Sequence, residues 1–76
     1  MKEFFDLYAS KYRERGWNLE VYHSSITDWT IRVGYKLTSP KHGEDVIFVQ
    51  DIDRARVFAE AYVALTDWLL NNEQGY

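Results

Sequence analysis

The strongest constraint in this sequence is its last long stretch, Asp51 to Asn72. Val57, Phe58, Ala61, Tyr62, Ala64, Leu65, Trp68 and Leu69 recur there at helical spacing and cover roughly half of one helix's circumference. Arg56, Glu60, Asp67 and Asn71 fall on the opposite side. Asp53 is placed to cap the first turn, with Ile52 and Val57 as the two partners of a hydrophobic staple. Fully burying a large apolar side chain is worth roughly 1.5–3 kcal/mol, so such a face gathers a gross ~10–20 kcal/mol. A helix this apolar must lie on a sheet or on another helix, and the residues before it read as both.

Lys2 to Arg15 predicts a first helix. Phe4, Phe5, Tyr8, Ala9 and Tyr12 fall within one arc, the basic residues Lys11, Arg13 and Arg15 suit its C-terminal dipole, and Gly16 is a stop signal. Trp17 to Ser24 then alternates, with Trp17, Leu19, Val21 and His23 on one side and Asn18, Glu20, Tyr22 and Ser24 on the other. Ser24 to Asp28 supplies turn residues for a short hairpin loop. Asp28 to Leu37 gives the cleanest alternation, Trp29, Ile31, Val33, Tyr35 and Leu37 against Thr30, Arg32, Gly34 and Lys36, as befits a central strand. Thr38 to Gly43 is a second hairpin loop containing Pro40. Glu44 to Asp51 is the third strand; Val46-Ile47-Phe48-Val49 is apolar on both faces, so one pair must point away from the helices, beside Tyr22, Arg32 and Lys36. Asn71 to Tyr76 reads as a fraying helix end and a loose tail.

The expectation is a single α+β domain over residues 1–76, of order αβββα, with both helices on one face of a three-stranded antiparallel meander. Its expected core is Trp17, Trp29, Ile31, Val33, Phe58, Tyr62, Leu65 and Trp68. A chain of 76 residues is close to the size where one core is only just sufficient, and three Trp, six Tyr and four Phe compensate with bulk. There is no cysteine, hence no disulfide, thiolate nucleophile or Cys-ligated metal. The first residues lack an apolar signal-peptide core, and no apolar run approaches the ~18 residues of a membrane span. The reading is a soluble cytoplasmic protein without membrane contact.

Chemistry is sparse. Of the two histidines, His23 reads as a core-edge residue and His42 as a solvated turn residue, and neither has a zinc-site spacing. Ser24-Ser25 lies in no nucleophile elbow, Asp51 and Asp53 suit caps better than acid–base work, and the four glycines form no phosphate loop. The sequence therefore predicts no enzyme and no cofactor or metal.

Three features suit binding. Net charge is −3, yet residues 1–42 carry seven Lys/Arg against five Asp/Glu, and residues 43–76 carry two against seven. That split argues against a nucleic-acid binder and fits a partner protein with a basic surface. Glu44, Asp45, Asp51 and Asp53 are the candidate partner-facing residues, with Tyr22 as an aromatic neighbour; the alternative is an edge strand that charge protects from aggregation. The uncovered sheet face is the second candidate surface. The third is the stripe Ala59, Val63, Thr66 and Leu70, which either packs on the first helix or joins two copies, leaving a monomer or a homodimer.

The order αβββα, with Ala55, Ala59, Ala61 and Ala64 in the last helix, resembles the double-stranded-RNA-binding domain. That resemblance implies a divergent nucleic-acid-binding domain. The family's lysine cluster at the start of its second helix is here Asp51-Ile52-Asp53-Arg54, and its hairpin-loop histidine falls in Ser24-Ser25-Ile26-Thr27. Over residues 15–70 the chain is also similar to small phage-encoded anti-CRISPR proteins of αβββ-plus-helix order, through Ile31-Arg32-Val33, the acidic Glu44–Asp53 strand and the aromatic helix after it. This second resemblance implies a non-catalytic inhibitor whose carboxylates occupy a basic groove of its partner.

Overall fold

The computed structural model describes residues 1–24 and 28–73. The chain runs α1 (Lys2–Arg15), β1 (Trp17–His23), β2 (Trp29–Tyr35), β3 (Asp45–Asp51) and α2 (Arg54–Glu73). The strands form one antiparallel sheet in the order β1-β2-β3, so the predicted helix, meander and helix are present. α2 lies along β3 and β2, and α1 packs on the Trp17 end of β1 and touches α2.

α1 ends where expected. Gly16 adopts φ 67°, ψ 32°, and its N–H bonds to the Tyr12 carbonyl. A side chain at that left-handed position would press on the following carbonyl, which glycine avoids. The buried arc of α1 is rotated from the expected one: Phe4 and Leu7 are buried, Tyr8 and Tyr12 are half-buried, and Ala9 is exposed.

α2 starts three residues later than the periodicity suggests. Asp51 still pairs with Trp29 in the sheet, and Asp53 is the cap, its Oδ1 accepting the Arg56 N–H at 3.0 Å. Ile52 is exposed, so it makes no buried staple with Val57. At the other end the helix continues to Glu73, whose carboxylate pairs with Arg15 (Nε to Oε2, 2.8 Å). Residues 71–73, expected in the tail, are thus helical; residues 74–76, like 25–27, lie outside the described residues.

The core contains Phe4, Leu7, Trp17, Ile31, Val33, Val46, Ile47, Val57, Phe58, Ala61, Leu65 and Leu69. Trp29, Tyr62 and Trp68, expected inside, are half-buried around it. The largest departure in the sheet is at β3. Val33 faces Ile47 but Gly34 faces Asp45, so Val46 is an extra residue in a bulge. The bulge turns Val46 inward to 7% exposure, and Phe48 alone of the four apolar residues points away from the helices. Lys36 also leaves the open face: its Nζ lies 6.0 Å from the Tyr12 ring centre on α1.

Candidate functional site

The open face of the sheet is built by the even-numbered positions of β1 and β2 and by their partners on β3. Because directly opposed residues of an antiparallel pair share a face, the register gives three rows across it. They are Tyr22–Thr30–Gln50, Glu20–Arg32–Phe48 and Asn18–Gly34–Asp45. No helix covers these rows, and the two large residues stay exposed, Tyr22 at 65% and Phe48 at 56%. They stand diagonally across β2, roughly 12 Å apart at the backbone from ordinary strand spacing and rise.

Arg32 lies between them and is held in place. Its Nη1 donates to Glu20 Oε2 at 3.1 Å and its Nε donates to Asp45 Oδ1. Both carboxylates stabilise the guanidinium's charge, Asp45 the more strongly, and raise its pKa. Gly34 makes room for this arrangement, since a Cβ there would sit 3.1 Å from Arg32 Nη2. At the end of the face, Gln50 Nε2 donates to Asp28 Oδ2 at 2.7 Å. The result is an open sheet surface with two exposed aromatics and an acid–Arg–acid line between them.

The four candidate carboxylates do not form one patch. Glu44 and Asp45 precede β3 or open it, whereas Asp51 closes its far end, about 20 Å away for a strand of this length, and Asp53 follows it. Asp45 is committed to Arg32. Asp51 accepts the Asp53 N–H at 2.9 Å and pairs with Arg56 at 3.2 Å. Its carboxyl is pulled down to about 2, first by the hydrogen bond from Glu60, then by the Asp53 N–H and Arg56. Glu60 moves the other way: sharing a proton with Asp51 raises its pKa. Tyr22 lies on the open face, two strands from β3.

The helical side has its own surfaces. Arg15, Trp17, Tyr35, Ser39, Pro40, Lys41, Trp68 and Glu73 line a pocket of about 300 Å³. The expected packing of the α2 stripe on α1 is only partial. Ala59 and Val63 border a groove with Met1, Glu3 and Phe4, but Val63 is 57% exposed and Leu70 52%. His23 is exposed and stacks on Trp29, ring centres 4.2 Å apart, with the Arg54 guanidinium 6.0 Å from the Trp29 ring centre.

Sequence reasoning placed Tyr22 and Arg32 on the open face but did not single out Phe48, Gln50 or the paired state of Arg32. Phe48 carried a signal, the doubly apolar run it sits in; the Arg32 clamp had none, because its partners are 12 and 13 residues away. Among the described residues no group of three or more His, Cys, Asp or Glu could hold a metal ion. No described helix is long and apolar enough to cross a membrane. No protein family, curated relative or solved structure matches this chain.

Proposed function

We propose that this chain is a non-catalytic interaction protein that occupies a partner protein through the open face of its sheet. The observation that carries the reading is the pair Tyr22 and Phe48, both more than half exposed on a face no helix covers. Exposed aromatics flanked by charged groups have the make-up of an interface centre with a polar rim. Arg32, held between Glu20 and Asp45, loses little freedom on binding, which favours a specific fit. Glu20 and Asp45 on either side of Arg32, with Glu44 beside Asp45, favour a basic partner and would mainly raise the association rate. A phage-type inhibitor covering a basic groove is the form of this proposal that the anti-CRISPR resemblance supports.

The alternative is a divergent nucleic-acid-binding domain. The stacked His23–Trp29 pair with Arg54 beside it favours that reading, because it lies at the start of α2, where a duplex-binding domain of this order makes contact. One set of measurements separates the two. A partner retained from the source cell by wild type, lost with Tyr22→Ala/Phe48→Ala and kept with Val63→Ala/Leu70→Ala, supports the sheet face. A steeply salt-dependent gel shift on duplex RNA or DNA that Arg54→Ala abolishes supports the alternative and sinks the first reading.

A further inference from the structure

The two edges of the sheet are unequal. β3 is guarded as edge strands usually are, by its bulge and by Asp45 and Asp51 at its ends. β1 (Trp17–His23) has no proline, no lysine, no bulge, and Glu20 as its one charged residue.

Two hydrogen bonds fix which backbone groups face outward. The Lys36 N–H bonds to the Gly16 carbonyl at 2.9 Å, and the Ser24 N–H to the Asp28 carbonyl at 2.8 Å, bracketing the β1–β2 ladder. Hydrogen-bonded positions alternate along an antiparallel pair. Asn18, Glu20 and Tyr22 therefore turn their N–H and C=O groups toward β2, and Trp17, Leu19, Val21 and His23 turn theirs to the free edge. Among the described residues, no backbone hydrogen bond from outside the strands reaches these four. The Trp17 end is fully buried, whereas Val21 is 42% exposed and His23 is exposed. The open part of the edge is its second half.

We propose that β1 is a dimerisation edge: two copies pair their β1 strands antiparallel about a twofold axis through Val21, joining both sheets into one. The axis stands perpendicular to the sheet, so all helices stay on one side and both open faces on the other. Opposed residues must share a face, which leaves Leu19, Glu20, Val21 and Tyr22 as central choices. Centring on Tyr22 pairs only Val21 with His23 of the second copy and so makes fewer hydrogen bonds than a Val21 centre. Centring on Glu20 sets two carboxylates directly opposite each other, an unfavourable pair. Centring on Leu19 requires Trp17, fully buried beneath the fold, to pair across the interface. Centring on Val21 opposes Val21 to Val21 of the second copy and Leu19 to His23 of the second copy, each pair exchanging two hydrogen bonds. Between them Glu20 meets Tyr22 of the second copy, a carboxylate beside a phenol that can donate to it. This register is self-complementary, as a twofold interface must be. The contact is small, so the dimer is a weak one, and Tyr22 remains on the open face.

Sedimentation equilibrium of the intact chain over roughly 10 µM to 1 mM tests the proposal, with an expected dissociation constant of about 10–100 µM. Val21→Lys sets two ammonium groups on the axis, and Val21→Pro removes an N–H that faces away from β2. Each should weaken association at least about tenfold while preserving the monomer's circular dichroism. Val63→Glu on α2 should leave association unchanged. Amide exchange on wild type needs no variant: protection of Leu19, Val21 and His23 should rise with protein concentration, while Asn18, Glu20 and Tyr22 are slow throughout. A chain monomeric at 1 mM by the same measurement overturns the proposal. So does a dimer that persists in folded Val21→Lys, a dimer lost with Val63→Glu, or exchange without the odd–even pattern.

Discussion

Leu65→Ala tests the helical phase on which the whole core depends. Leu65 is fully buried, whereas Leu70, on the same helix, is 52% exposed. The substitution removes Cγ, Cδ1 and Cδ2. At roughly 0.8 kcal/mol per buried carbon, the lost transfer energy is about 2–2.5 kcal/mol. The cavity left in a close-packed core adds a further term, bringing the cost to about 3–4 kcal/mol, within the range known for Leu→Ala. Leu70→Ala begins from a side chain half in water and leaves no enclosed cavity, so its cost should stay below about 1 kcal/mol. Domains of this length hold about 4–11 kcal/mol in total, so Leu65→Ala removes a large share. Urea denaturation of both variants reads the difference, and thermal melts should separate by about 10–20 °C. Equal costs at the two positions, or a loss below about 1 kcal/mol at Leu65, would refute the phase of α2 and the core built on it.

Two further outcomes follow from local geometry. Gly16→Ala should destabilise the fold by about 1 kcal/mol, because φ 67° is strained for any residue with a Cβ; an unchanged urea midpoint would contradict the left-handed stop. Glu60→Gln tests the Asp51–Glu60 pair through pH. The lowered Asp51 contributes stability above the ordinary carboxylate range and loses it as pH falls toward about 2, whereas the raised Glu60 contributes below its ordinary value and loses it as pH rises through the raised one. The glutamine variant should therefore gain on wild type in melting temperature as pH rises through that window and match it below; a pH-independent difference would sink the pairing.

The helices and the first two strands were legible because each is written in one clear period, and β3 from a short β-branched apolar run. α1 could be read to the residue, since Gly16 stops it and acidic and basic residues mark its ends. β1 and β2 followed from strict alternation, trimmed by a residue or two where pairing ends. The errors cluster where tertiary partners decide. One pair of Val46–Val49 was expected to point outward, but the bulge opposite Val33 and Gly34 slips the register by one residue and turns Val46 inward, leaving Phe48 alone outside. Leu7 replaced Ala9 on the buried arc, a modest rotation that packing on α2 sets and the sequence of α1 alone does not. Trp29, Tyr62 and Trp68 were overestimated as core because bulky aromatics are readily packed against a core without entering it.

The site was less legible, and the carboxylates show why. Counting acids along the chain suggested one patch over Glu44, Asp45, Asp51 and Asp53, but a strand separates its ends. Folding also gives most of these groups work within the molecule. Asp45 holds Arg32, Asp51 holds Arg56 and the Asp53 N–H, and Asp53 caps α2. A reversal at Asp45 would remove the partner of Arg32 along with a surface charge, and one at Asp53 would remove a cap. Neither would isolate electrostatic attraction to a partner. Glu44 is the cleaner probe: it is exposed, it precedes the strand, and its backbone N–H is already bonded to the Lys41 carbonyl at 3.1 Å. Linear charge density is thus a measure of steering field rather than of contact. The contact chemistry must be sought where folding leaves side chains uncommitted, and Tyr22 and Phe48 on the open sheet face meet that description.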